Sequence, residues 1–157
     1  ININASFELI DAKGNKFTNK TLKGDYKLIY FGYTSCPDIC HTTLSIVAES
    51  LKIVQSKHKD FKFAFITVDP ERDKGEEFIK YVQEFVPNGI ALTGSAEQIR
   101  EAAKNYKVYY AKASDDKNYF MDHTNFLYLL DKNGEFKAIF SGKLNAEELA
   151  KEILANI

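Results

Sequence analysis

The sequence predicts an α/β fold: a mixed central sheet flanked by helices, with a β-hairpin at the N-terminus and a second one inserted late in the chain. Three observations predict it. Residues 27–33 (KLIYFGY) and 61–68 (FKFAFITV) are nearly continuous apolar runs, as expected of strands covered on both faces. Apolar residues recur at helical spacing after each run. Near the end, an Asn-Gly turn separates two further strand-like runs.

The elements follow in order. Residues 7–10 read as a short strand, turned by Lys13-Gly14-Asn15 into a second piece around Phe17. The run 27–33 leads into Thr34-Ser35-Cys36-Pro37-Asp38-Ile39-Cys40. A helix then runs to about Ser56, with Leu44, Val47, Leu51 and Val54 facing the core. The strand 61–68 ends at Asp69-Pro70-Glu71-Arg72-Asp73. A helix over 74–85 carries Phe78, Tyr81, Val82 and Phe85 on one side, and 90–92 is a short strand. Ser95 and Gln98 form a reciprocal cap for a helix striped with Ile99, Ala102, Ala103 and Tyr106. Residues 108–111 and 118–121 read as a hairpin around Ser114-Asp115-Asp116. Strands 126–130 and 135–140 are joined by Asp131-Lys132-Asn133-Gly134. The last helix starts at Asn145 with Glu148 completing its cap, and Leu144 is placed to staple onto Leu149. The early βαβ units require parallel strands and the closing hairpin antiparallel ones. This order resembles a thioredoxin-like fold with an extra N-terminal hairpin. In such sheets ligands gather at the carboxyl ends of parallel strands, and Cys36 and Asp69 lie just past two of them.

Composition narrows the function. The 157 residues are 45% apolar and 27% charged, and are read as one domain, 1–157, without repeats or linkers. Twelve Phe and nine Tyr supply an aromatic core. Lys+Arg total 21 and Asp+Glu 22, so there is no basic field for a nucleic-acid backbone. No run reaches the ~18 apolar residues that cross a bilayer. The chain opens at Ile1 and its one methionine is Met121, so it is read as a processed product from which a leader or membrane anchor has been removed.

The two cysteines, Cys36 and Cys40, are three residues apart. Pro37 disfavours helical geometry at Cys36. Cys40 falls at or near a helix start, where the helix dipole stabilises a thiolate. A structural disulfide closing so short a loop adds little to a core of this size, so a functional thiol pair is the better reading. Its chemistry is either redox exchange or metal binding. Of the three histidines, His58 lies in a polar helix exit and is read as solvated. His123 lies in Met121-Asp122-His123-Thr124, in a turn that this fold places beside the cysteine loop. Two thiolates and one imidazole make a soft set suited to three-coordinate Cu(I), whereas structural zinc takes four protein ligands. The alternative for His123 is a capping or core histidine satisfied by hydrogen bonds. His41 follows Cys40 directly and either points to solvent or competes for metal.

These residues resemble the Sco (SenC-like) family of copper-binding cytochrome c oxidase assembly proteins. Residues 33–40 resemble its C-P-D-[I/V]-C loop, 68–73 match V-D-P-E-R-D, and 122–124 match D-H-[S/T], in the family's order. The resemblance implies copper, Cu(I) or Cu(II), held by Cys36, Cys40 and His123. It implies assistance in forming the binuclear copper centre of cytochrome c oxidase subunit II, with a copper-donating chaperone as a further partner. It also implies an N-terminal membrane tether preceding Ile1, on the periplasmic face of the bacterial inner membrane or in the mitochondrial intermembrane space. The family usually has Pro after the second cysteine, where this chain has His41. Asp69 reads equally as an acidic group tuning the site or contacting the partner, and as a loop carboxylate paired with Arg72. Glu71, Arg72 and Asp73 read as a local charge network. Asp122 is a candidate hydrogen-bond acceptor orienting His123.

Two competing functions keep the same residues. In one, Cys36 and Cys40 are a redox-active pair that cycles between dithiol and disulfide to reduce a partner's cysteines, without need of His123. The other, a peroxiredoxin-like peroxidase, lacks the Thr expected three residues before a reactive Cys36, where Tyr33 stands.

Overall fold

The computed structural model describes residues 3–35, 39–112, 121–123 and 125–157, with the backbone alone for 39, 40, 112 and 121–123. The strands are β1 (Glu8–Asp11), β2 (Lys16–Thr18), β3 (Tyr26–Gly32), β4 (Phe61–Thr67), β5 (Ile90–Thr93), β6 (Tyr110–Lys112), β7 (Met121–His123), β8 (Phe126–Leu130) and β9 (Phe136–Ser141). The helices are α1 (Ile39–Gln55), α2 (Gly75–Phe85), α3 (Ala96–Tyr106) and α4 (Ala146–Leu154). The fold is thioredoxin-like, with the N-terminal hairpin where expected and the arms of the inserted hairpin beginning two to three residues later than expected.

The central sheet runs β2-β1-β5-β4-β3-β8-β9, and β6 and β7 form a separate antiparallel pair. Strands β3, β4 and β5 are parallel, as the helical crossovers α1 and α2 require. β8 runs antiparallel to β3, with Lys27 opposite Leu130 and Tyr30 opposite Leu127. The amino end of β8 and the carboxyl end of β3 therefore meet at one edge of the molecule. β1 closes the other side antiparallel to β5.

Apolar β3 and β4 are central because both their faces are covered. Tyr30 meets Phe65 edge-on at 5.8 Å, and Phe65 meets Phe78 of α2 at 5.8 Å. The opposite face belongs to α3, whose buried Tyr106 lies 5.4 Å from Phe31 and 5.2 Å from Tyr128. Its hydroxyl donates to the carbonyl of Ala5 at 2.8 Å. α1 buries Leu44, Val47, Leu51 and Val54, and the Ser50 hydroxyl donates to the Ala146 carbonyl at the start of α4. Each fully buried aliphatic side chain here contributes roughly 1.5–3 kcal/mol.

Local signals read from the sequence hold at the helix ends. Ser95–Gln98 and Asn145–Glu148 are both reciprocal capping boxes. Gly134 takes φ 80 in the β8–β9 turn. There an added Cβ would stand 2.3 Å from the Asn19 carbonyl oxygen. Two details differ from expectation. His58, expected to be solvated, is half-buried at the α1 exit, where its amide donates to the Val54 carbonyl. The second arm of the inserted hairpin is β7, so His123 lies in a strand opposite Tyr110 rather than in a turn. Pairing with β6 sets that register, which the local sequence does not carry. The hairpin tip expected around Ser114-Asp115-Asp116 lies outside the described residues. Among the described residues no helix is long and apolar enough to cross a membrane.

Candidate metal centre

The described segments that flank the predicted ligands come together at the carboxyl end of β3, where Asn125 accepts from Tyr30 of β3 and Thr43 of α1. β3 ends at Gly32 and releases the chain toward Cys36, which lies outside the described residues along with Pro37 and Asp38. Cys40 stands in the first turn of α1, where the helix end favours an anion. His123 ends β7, two residues before Asn125 at the entry to β8. Side chains of Cys40, Asp122 and His123 lie outside what is described. Among the described residues no three His, Cys, Asp or Glu side chains form a ligand cluster.

The loop after β4 grips the chain just before Cys36. Asp73 is 1% exposed and is the hub of this grip. Its carboxylate accepts from the Thr34 amide at 2.9 Å, the Thr34 hydroxyl at 2.5 Å and the Thr67 hydroxyl at 2.7 Å. Burial pushes the Asp73 carboxyl above the usual carboxylate range, opposed by the hydrogen bonds from Thr34 and Thr67 and aided by the nearby Asp69 charge. Asp73, read from the sequence as part of a local charge network with Glu71 and Arg72, is thus a buried anchor bonded to Thr34 and Thr67. The sequence offers no local sign of this, because its partners lie 39 and 6 residues away.

Asp69 is 3% exposed and forms an ion pair with Arg72, as one of its two sequence readings holds. Its backbone carbonyl accepts from the amides of Arg72 and Asp73, which closes the loop into a tight turn. The Arg72 guanidinium lies 5.9 Å over the ring of buried Tyr33. Residues 33 and 34 are therefore held from one side by the 69–73 turn. A cleft of about 200 Å³ lies between Asp69, Pro70, Glu71, Ile99 and β6 residues Tyr110 and Ala111. The β6–β7 hairpin that carries His123 thus faces the Asp69 turn.

His41 is exposed, and its ring meets Tyr81 at 5.7 Å and Phe85 at 5.8 Å, both edge-on. It ties the start of α1 to α2. On the predicted apolar stripe Phe78 and Val82 are buried, whereas Tyr81 and Phe85, which meet His41, are half-buried.

A residue that sequence reasoning missed joins these elements. The Asn125 side-chain oxygen accepts from the Tyr30 hydroxyl of β3 at 3.1 Å and from the Thr43 hydroxyl of α1 at 3.3 Å. Its carbonyl accepts from the Gly142 amide at 3.0 Å.

Comparisons with known proteins agree with this architecture. A family model described as SCO1/SenC matches residues 1–157. A SCO2-like protein of Rickettsia prowazekii is 43% identical over 152 residues, covering 95% of this chain and 74% of that one. The structure of Arabidopsis thaliana ScoI with copper bound matches with a TM-score of 0.92 at 34% identity, covering 99% of this chain and 98% of that one. Bradyrhizobium japonicum ScoI with copper bound matches with a TM-score of 0.85 at 37% identity, covering 99% of each chain.

Proposed function

The chain belongs to the SCO1/SenC family, and from that premise we propose that it is a copper-binding metallochaperone whose cargo is held by Cys36, Cys40 and His123. The observation that supports this reading is the node at Asn125, where the β8 entry, two residues past His123, meets Tyr30 of β3 and Thr43 of α1. Relatives of the same fold carry copper in their solved structures. Two thiolates and an imidazole are a soft set that suits Cu(I) and can also hold Cu(II). Three ligands leave room for an incoming ligand to add before one departs, which is what transfer to a recipient needs.

The recipient in this reading is subunit II of cytochrome c oxidase at its binuclear copper site, and a second chaperone supplies the ion. The domain works at the outer face of a bacterial inner membrane, tethered by a segment preceding this one. The deciding experiment is anaerobic titration of the reduced protein with Cu(I) and then Cu(II), beside His123→Ala and the Cys36→Ser/Cys40→Ser pair. One copper per chain is expected, with weakened Cu(II) binding in His123→Ala and no stoichiometric binding in the double variant. Stoichiometric binding by the double variant refutes the proposed site.

A second reading is favoured by the position of Cys40 in the first turn of α1, which stabilises a thiolate. The Cys36/Cys40 dithiol would give two electrons and two protons to a partner disulfide and become a disulfide itself. Under this reading His123→Ala reduces a subunit II disulfide peptide at the wild-type rate.

A further inference from the structure

We propose that Asn125 is a positioning residue that fixes the His123 strand against the Cys40 helix, with Thr43 as its contact on the helix. The inference deepens the copper reading above and rests on it. Asn125 stands two residues after His123, and two residues of extended chain span at most about 7 Å. Thr43 stands three residues after Cys40, about 4.5 Å along the helix and on nearly the same face. The 3.3 Å hydrogen bond from the Thr43 hydroxyl to the Asn125 side-chain oxygen therefore joins the two ligand-bearing segments close to where their ligands depart.

The node is anchored on its other sides as well. The same oxygen accepts from the hydroxyl of Tyr30, a fully buried residue of central strand β3. Behind it, Gly142 leaves room that no other residue would: a Cβ there would come within 2.5–2.6 Å of the Asn125 side-chain oxygen, carbon and nitrogen. Thr43 is itself 1% exposed, so the hydroxyl has no ready supply of water to replace Asn125. A metal site built from a helix and a strand needs its carriers held to within about 0.5 Å. This part-buried contact between α1 and the β8 entry supplies that restraint without touching the ion.

The test compares Thr43→Val, which removes the hydroxyl at constant shape, with Thr43→Ser, which keeps it, and with Asn125→Leu. The probe is copper alone, read as Cu(II) affinity and as the Cu(II) absorption and electron paramagnetic resonance spectra. Thr43→Val and Asn125→Leu are expected to weaken Cu(II) about tenfold, the usual lower bound for losing a group that supports a ligand. Both should shift the spectra. Thr43→Ser should restore wild-type affinity and spectra. The melting temperature of copper-free Thr43→Val should fall by no more than about 4 °C, the loss of one hydrogen bond. A copper-free readout stands beside these: backbone amide resonances of Cys40 and His123 should move in Thr43→Val and not in Thr43→Ser.

Wild-type affinity and spectra in Thr43→Val, or unmoved Cys40 and His123 amides, overturn the inference while leaving the copper reading intact. Failure of the wild-type protein to bind copper, or unchanged Cu(II) binding in His123→Ala, overturns the copper reading and the inference with it.

Discussion

Replacing Asp73 tests whether a buried carboxylate holds the chain that leads into the cysteine loop. Asp73→Ala removes three accepted hydrogen bonds, two to Thr34 and one to Thr67. The Thr67 hydroxyl is fully buried, though it keeps the Asp69 amide as a donor, and Thr34 is half-buried and can recruit water. Hydrogen bonds to a charged group contribute about 1.5–3 kcal/mol each, and water recovers part of that loss, so the expected destabilisation is about 2–4 kcal/mol. Asp73→Asn behaves differently. Its oxygen can accept from the Thr34 amide and the Thr67 hydroxyl, and its amide can donate to the Thr34 hydroxyl oxygen. It should stay within about 1 kcal/mol of wild type. The pH dependence separates the two effects. Burial raises the folded carboxyl above its unfolded value near 3.9, so the folded state holds that proton more tightly. The stability this brings is present below the unfolded value and is lost as pH rises through the folded one. Asp73→Asn has no such loss, so its stability relative to wild type should improve from about pH 4 toward neutrality. Urea unfolding of the reduced protein at several values between pH 4 and pH 7 measures this. An Asp73→Ala variant as stable as wild type, or an Asn variant whose difference from wild type ignores pH, refutes the reasoning.

Gly134→Ala should lower the urea midpoint by the equivalent of more than about 1 kcal/mol, because φ is 80 there and the new methyl meets the Asn19 carbonyl. Tyr106→Phe should cost about 1 kcal/mol in the same assay by leaving the Ala5 carbonyl without its hydroxyl donor. Burial pushes the Tyr128 phenol up to about 12, so the stability it gives is intact below pH 10 and is lost as pH rises toward 12. A spectrophotometric titration should show that tyrosine ionising together with unfolding. The Lys132 ammonium, 2.6 Å away, holds the Asp60 carboxyl below its usual range, so its stabilisation is present above the unfolded value and is lost as pH falls through the folded one. Lys132→Met should therefore lower stability at pH 7 slightly and flatten the acid limb by the same small amount, since Lys132 is half exposed and the pair is screened by solvent.

Most of the fold was legible because its signals are local. A capping box needs residues three apart, as at Ser95 and Gln98, and a tight turn needs its own glycine, as at Gly134. The parallel core was legible because β3 and β4 are nearly continuous apolar runs. What escaped was set at a distance. The strand placement of His123 depends on Tyr110 across the hairpin. Asp73 looks like one charge among several in Asp69-Pro70-Glu71-Arg72-Asp73, and only Thr34 and Thr67 make it a core residue. Asn125 reads as an ordinary strand-entry residue until Tyr30, Thr43 and Gly142 close around it. Of the candidate site, residue types and order were readable, whereas the groups that hold their carriers in place were not.

Those holding groups bear on how a site at this edge can exchange an ion without loosening the fold. Asp73 and Asn125 are fixed to the ends of β3, β4 and β8, whose inward side chains are buried. Of the proposed ligands, Cys40 stands in a first helical turn and His123 in a hairpin, both outside these strands. Opening the sheet would sacrifice aromatic contacts such as Phe31 with Tyr106 and Tyr30 with Phe65. Rearranging the ligand carriers sacrifices, among the described contacts, hydrogen bonds made to Thr34 and Asn125, each contributing about 0.5–3 kcal/mol. A release route that parts these bonds and leaves the sheet closed is therefore expected to cost less than one that opens it. The clamps rather than the core should then govern exchange: Asp73→Ala and Thr43→Val should speed transfer of copper to a chelator, whereas Phe65→Leu should lower stability and leave the transfer rate of the folded protein unchanged. Equal acceleration by all three variants would show that release requires the sheet to open.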